Sequence, residues 1–200
     1  MPSVLTMSLR SLRRVAPRAL TILMLAGVVS ACDDDPFGLQ DWTAAPDTVL
    51  LYSLARPELN LASAFNLDQR RLIRIEAPGS TGEWDFAVDT DGGSLVFLTP
   101  VFFGIDSEAR IATFPGMSFD EVRRAPSDTA AYVADDPVPV DLGTVYVMRT
   151  NESVGSFGRL CSYYAKLEPL EVSVENGTVL FVYDSNPICN ELDLVPPNGG

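Results

Sequence analysis

The chain has 200 residues, no histidine, and 27 acidic against 14 basic residues, which gives a formal net charge of −13 at pH 7. Because such a field repels phosphate backbones and no lysine cluster offsets it, we expect no nucleic-acid partner. The lack of histidine also excludes Ser-His and Cys-His catalytic pairs and the usual histidine ligands of zinc.

The first 31 residues have the composition of an export signal. Four arginines and no acidic residue precede the apolar run from Ala19 to Val29, and small residues follow it. The run is well short of the ~20 residues that a membrane-crossing helix needs, which favours a cleaved signal over a permanent span. Its removal leaves 10 basic and 27 acidic residues, a formal charge of −17.

The end of this segment reads Val29-Ser30-Ala31-Cys32 and resembles the lipobox of bacterial lipoprotein precursors. That resemblance covers the signal region alone. It implies lipid on the Cys32 thiol, cleavage before Cys32, and a mature protein held to a membrane of the cell envelope by its acyl chains, with inner or outer membrane left open. The alternative is an ordinary signal peptide with Cys32 as a spare thiol.

An acidic, turn-rich stretch at 32–47 follows and predicts a tether. Trp42 is unusual in a flexible linker, so we expect part of the tether to dock. Residues 48–197 are enough for one domain with a hydrophobic core. The tail from Val195 onward is expected to fray, most of all at 198–200.

Short β-branched or aromatic runs alternate with turn residues through the domain, which predicts an all-β fold, an antiparallel sandwich or barrel that is immunoglobulin-like at a coarse level. One or two short helices are expected, from Phe119 to Arg124 after a capping box and as a turn within Ala55–Asn66. The predicted strands are 48–53, 71–76, 84–88, 94–99, 109–114, 144–149, 161–167, 170–175 and 178–183.

Asn176-Gly177 predicts a two-residue type I′ hairpin turn, because both residue types tolerate positive φ angles. Facing residues then have numbers that sum to about 353, which places Cys189 opposite Tyr164 unless Pro169 shifts the register. A second hairpin is predicted around Asp89–Gly93.

Cys161 and Cys189 are the cysteines that remain after Cys32. In an exported protein a single disulfide is the economical assignment, and no close cysteine pair or histidine supports a metal site instead. The alternative is two free thiols.

Asp89-x-Asp91-Gly92 is similar to the start of a calcium-binding loop. The third ligand and the distant glutamate of an EF-hand loop are missing, however, and an Asp-Gly turn needs no metal. Asp89 and Asp91 are therefore weak candidates for calcium, the one cofactor considered.

No catalytic residue is assigned. Lys166, the only lysine, lies near Glu168 and is predicted to be a surface cation, and pairs of carboxylates suitable for glycoside hydrolysis are too numerous to choose among.

We therefore predict a membrane-anchored lipoprotein that acts as a noncatalytic binding or envelope-assembly module, with an envelope protein as its partner. A carboxylate-based extracytoplasmic hydrolase and a calcium-dependent binding module are the alternatives.

Overall fold

The structure, a computed structural model, describes residues 42–197, and they form an all-β fold with two five-stranded antiparallel sheets. The predicted fold class is confirmed. The signal segment, Cys32, most of the tether and the tail 198–200 lie outside the described residues.

The first sheet has the strand order β1-β12-β11-β8-β6. Every pair is antiparallel. Its strands are β1 (Asp47–Tyr52), β6 (Arg110–Pro115), β8 (Thr144–Arg149), β11 (Tyr164–Ser173) and β12 (Thr178–Asn186).

The second sheet has the order β3-β2-β4-β5-β7. Its strands are β2 (Ala64–Asn66), β3 (Arg71–Ile73), β4 (Phe86–Asp91), β5 (Ser94–Leu98) and β7 (Val138–Pro139). A separate two-stranded hairpin, β9 (Ser153–Val154) with β10 (Leu160–Cys161), follows β8.

The main hydrophobic core lies between the two sheets and contains buried side chains from both. Edge-to-face aromatic contacts cross it: the rings of Phe65 and Phe181 are 6.2 Å apart, and those of Phe97 and Tyr146 are 5.1 Å apart. Each such pair adds roughly 0.5–1.5 kcal/mol to what burial of its area contributes. The sandwich is thus held by alternate residues of facing strands.

Strand β8 is buried on both faces. Tyr146 and Met148 point into the main core, whereas Val145 and Val147 belong to a second cluster with Val122 and other apolar side chains on the outer face of the first sheet. A run without polar alternation is what a strand covered on both sides requires.

The two predicted hairpins both form, but their turns differ from the prediction. Gly92 and Gly93 alone link β4 to β5, and both have positive φ, as a type I′ turn requires. At the other hairpin Ser173 pairs with Thr178, so the loop is the four residues 174–177 and the predicted two-residue turn is wrong.

Tertiary contacts explain the longer loop. Arg56 Nη1 donates to the Asn176 carbonyl, and Ser53 N donates to the Gly177 carbonyl at 2.8 Å. The longer turn moves the register by two residues and an irregularity between Pro169 and Glu171 moves it by one more, so that Asn186 rather than Cys189 faces Tyr164.

Both predicted helical segments are wrong. The Ala55–Asn66 segment ends in strand β2, and residues 119–121 form one turn only. Glu121 does accept from Ser118 N at 2.8 Å, as in a capping box. The helix does not continue, because the following residues pair with the C-terminal segment instead. Short 3-10 helices form elsewhere, at Pro100–Phe103 and Thr129–Ala131.

Candidate functional site

Two irregular segments cover the outer face of the first sheet, one at 118–125 and the other at 192–196. Ala125 N donates to the Leu192 carbonyl and Leu194 N donates to the Arg123 carbonyl, each at 2.8 Å. Their apolar residues pack on β6 and β8. These contacts make the C-terminal segment part of the domain up to Leu194, and Val195 and Pro196, where fraying is expected from the sequence, are half-buried.

Lys166 lies beneath these segments and is 3% exposed, so the predicted surface cation is wrong. Its Nζ donates to the carbonyls of Phe119 at 2.6 Å and Val122 at 3.2 Å, and it stands 4.3 Å from the centre of the Phe119 ring. Burial lowers the pKa of Lys166, while the negative charges of Asp120 and Asp184 act to raise it.

Asp184 faces Lys166 across the β11-β12 pair and is also buried. Its carboxylate accepts from Ala45 N at 3.3 Å and from Arg70 Nη2 at 3.2 Å. Arg70 in turn donates to the Ala45 carbonyl at 2.9 Å. The last residues of the predicted tether are thereby bound to the sheet, as the position of Trp42 indicated.

These groups form the floor of an open cleft with a volume of about 470 Å³. Its walls are the residues that precede β1, the turn at 119–123 and the C-terminal segment. The lining residues are Trp42, Thr43, Ala44, Pro46, Phe119, Asp120, Arg123, Lys166, Asp184, Leu194, Val195 and Pro196. An apolar, partly aromatic wall over a few polar groups is typical of a ligand site.

A second polar site surrounds Asp85, which is 5% exposed. Its two carboxylate oxygens accept from Leu67 N at 2.7 Å and Asn151 N at 2.9 Å, so that it joins the two sheets. Burial raises the pKa of Asp85 to about 6, although both hydrogen bonds act to lower it. Asp68, Glu83 and Glu152 line the same cavity of about 190 Å³.

The calcium candidates Asp89 and Asp91 lie two residues apart in β4. Asp89 accepts from Thr90 N at 2.7 Å and from the Ser53 hydroxyl at 3.3 Å. Among residues 42–197 no group of three or more acidic, cysteine or histidine side chains is placed to hold a metal ion. The structure therefore adds no further ligand to these two carboxylates.

Cys161 and Cys189 form a disulfide with a Cα–Cα distance of 4.9 Å. It joins the β9-β10 hairpin to the loop after β12. Asn190 strengthens the same junction, since its Oδ1 accepts from Ser162 N at 2.8 Å and its Nδ2 donates to the Leu160 carbonyl at 3.0 Å.

Sequence reasoning missed the roles of Lys166, Asp184 and Asp85. For Asp85 a signal was present, because an acid between Trp84 and Phe86 interrupts an apolar run. For Lys166 the alternation along the strand was misleading. Its neighbours Ala165 and Leu167 face the core, so Lys166 is predicted to point outward, but this alternation does not predict that other segments cover that outer face.

No helix within residues 42–197 has the length and apolar character of a membrane span. Comparison of the chain with protein-family models, with curated proteins and with solved structures found no match.

Proposed function

We propose that the chain is an exported lipoprotein, anchored by lipid on Cys32, whose β-sandwich binds an envelope protein noncatalytically through the cleft at Lys166 and Asp184. Export is supported by the Cys161–Cys189 disulfide, because disulfides persist outside the reducing cytoplasm. Anchoring would raise the effective concentration of the cleft for partners at the same membrane.

The binding role is supported by a difference between the floor and the walls of the cleft. The charged groups on its floor are engaged within the protein: Lys166 with two carbonyls, and Asp184 with Arg70 and a backbone amide. Trp42, Val195 and Pro196 line the walls and are half-buried. A groove of this kind offers apolar contact area with a fixed polar floor, which suits recognition of a protein segment.

The same geometry argues against catalysis by Lys166. A nucleophilic lysine needs a free amine, whereas this ammonium group is held by the Phe119 and Val122 carbonyls and packs against the Phe119 ring. Burial lowers the pKa of Lys166, but both of its carbonyl partners belong to the protein itself, which is a structural arrangement.

The anchor is tested by mass measurement of the mature protein purified from membranes. We expect a mature N-terminus at Cys32 with a mass increase equal to its acyl chains, and we expect Cys32→Ala to release the protein from the membrane fraction. An unmodified Cys32, or a chain that begins at another residue, would refute the anchor.

The cleft is tested by placing a photoreactive residue at Val195 and, as a control, at Leu142, which is 61% exposed in the loop before β8. Irradiation in cells should give one discrete protein adduct from position 195 and none from position 142. Equal adducts from both positions, or none from either, would count against a binding cleft.

A second candidate, a carboxylate-based hydrolase, is favoured by the raised pKa of Asp85 beside Asp68, Glu83 and Glu152. It ranks below binding, because both Asp85 oxygens are occupied by backbone amides. Turnover of an envelope polysaccharide that is lost in Asp68→Asn would support it, and flat progress curves across such substrates would remove it.

A further inference from the structure

The β9-β10 hairpin exposes three apolar side chains at its tip and flanks. Phe157 is fully exposed, Val154 is 75% exposed and Leu160 is 56% exposed. Isolated exposed apolar residues are ordinary, but three on one nine-residue hairpin form a patch that is characteristic of an interaction site.

The backbone holds Phe157 in this exposed position. Its φ is 60° and its ψ is 24°, the left-handed region that bulky side chains rarely adopt. The ring is exposed at the tip of the hairpin. No burial of the ring therefore offsets the energetic cost of this backbone conformation. Strained residues of this kind concentrate at functional sites.

The hairpin is firmly attached at its base. The Cys161–Cys189 disulfide ties its second strand to the domain, and within the hairpin Gly155 N donates to the Arg159 carbonyl at 2.8 Å and closes the tip. Gly155 packs directly on that disulfide, because a Cβ on it would overlap Cys161 Sγ. The apolar tip is therefore presented on a cross-linked support.

The β9-β10 hairpin itself carries no acidic residue, and Glu152 directly precedes it. No acidic residue occurs between Ser153 and Leu167 in a chain that has 27 of them, and Arg159 is exposed near the tip. The patch is thus apolar with one arginine, on a protein whose net charge is negative. Such a combination complements an anionic bilayer surface, where aromatic and apolar side chains enter the interface and arginine meets lipid phosphates.

The hairpin extends from the end of the sandwich where the chain arrives from Cys32. Thr43 lines one cavity of about 240 Å³ together with Tyr163 and Pro187, which flank the disulfide on either side. Ten residue steps separate Cys32 from Trp42, a span of at most about 35 Å. A lipid on Cys32 would therefore keep a bilayer within reach of this end.

We propose that the β9-β10 hairpin inserts Phe157, with Val154 and Leu160 beside it, into the interface of the bilayer that holds the lipid anchor. The inference rests on the proposed anchor at Cys32. The hairpin supplies a second contact with the membrane, which orients the domain and fixes which faces, including the cleft, are turned toward partners.

The test uses the full mature lipoprotein in vesicles of phosphatidylethanolamine and phosphatidylglycerol, with some lipids brominated in the acyl chains. Phe157→Trp is compared with Leu142→Trp, both in a Trp42→Phe background, and Trp84 stays as a buried reference that is 1% exposed. Tryptophan at position 157 should shift its emission to the blue and be quenched by brominated lipid, whereas tryptophan at 142 should do neither.

Equal emission and equal quenching at positions 157 and 142 in membrane-bound protein would overturn the hairpin proposal while leaving the anchor intact. The unlipidated Cys32→Ser protein separates the hairpin proposal from the anchor proposal. Weak binding of this protein to the same vesicles that depends on Phe157 would support insertion of the hairpin even if Cys32 carries no lipid. Shielding of position 157 in cells but not in pure lipid vesicles would assign the patch to a protein partner and refute the bilayer.

Discussion

The two ends of the sandwich are built differently. At one end lie short turns that contain glycine, at Gly92-Gly93, Gly143 and Gly177, all with positive φ, and the chain also leaves β1 and β6 there for the segments 53–63 and 116–137. At the other end it leaves the sheets for long excursions at 99–109 and 150–163, receives the segment before β1, and contains the disulfide.

The end that contains the disulfide uses buried carboxylates, whereas buried polar residues at the turn end, such as Ser53 and Thr144, are uncharged. Asp85 joins the loops after β2 and β8, and Asp184 holds the segment before β1. Irregular segments leave backbone amides and carbonyls without sheet partners, and charged side chains satisfy them. The cleft and the β9-β10 hairpin therefore lie at the end of the sandwich where the stability of the fold depends on single buried side chains such as Asp85 and Asp184.

The largest effect is expected from Lys166→Ala. The change leaves the Phe119 and Val122 carbonyls without their donor and removes a buried side chain, so the free energy of unfolding should fall by about 3 to 5 kcal/mol. Arg124→Ala is the control, because its ion pair with Asp193 is exposed and should contribute less than about 1 kcal/mol. Urea unfolding measures both, and equal losses would contradict the structural role of Lys166.

Loss of the disulfide should cost nearly as much. With Cys161 and Cys189 both replaced by serine, chain entropy predicts a loss of about 3 to 4 kcal/mol for a loop of this length. Trypsin should then cut after Arg159 faster than in the oxidised protein, because the hairpin loses its support. If reductant changes neither the melting temperature nor this cleavage, the hairpin is stable without the bridge.

The buried carboxyl of Asp85 predicts a pH effect. Its pKa is raised to about 6 in the folded protein from 3.8, so the folded state binds this proton more tightly than the unfolded state. The contribution of Asp85 to the free energy of unfolding therefore falls as pH rises from about 4 to about 6, by up to about 3 kcal/mol. Above that window it is constant.

Unfolding of the wild type and of Asp85→Asn across this window measures the effect. The free-energy difference between the two proteins should change with pH, whereas Asp91→Asn, which alters an exposed carboxylate in β4, should leave the profile unchanged. If the free energy of unfolding changed with pH in the same way in the wild type and in Asp85→Asn, the prediction would be wrong. The two amide hydrogen bonds would then offset the effect of burial on the pKa of Asp85.

The smallest effect is expected at the turn end. Gly93→Ala forces a side chain into a φ of 86° with no contact within 4 Å, so it should destabilise the protein by about 1 to 2 kcal/mol through backbone strain alone. Ser94→Ala, at the next exposed position, is the control. A loss as large as that of Lys166→Ala would break the distinction between the two ends.

Much of the strand pattern could be predicted from local sequence. Strand β8 matches its predicted bounds, and β1, β5, β6 and β12 begin within a residue of theirs. Short strands such as β2 and β7 were missed, since three or two residues carry too little periodicity. At Asn176-Gly177 a four-residue loop forms in place of the two-residue turn that the sequence favours. Hydrogen bonds from Arg56 and Ser53, which are distant in sequence, hold this loop.

The sequence by itself was enough to predict the fold class and the pairing of Cys161 with Cys189, because alternation, turn residues and cysteine number are local or countable properties. Only the tertiary structure decided that Lys166 and Asp184 are buried and that the segments before β1 and after β12 meet over them to form a cleft. Burial of a charged side chain depends on which distant segment covers it, and that depends on the packing of the whole domain.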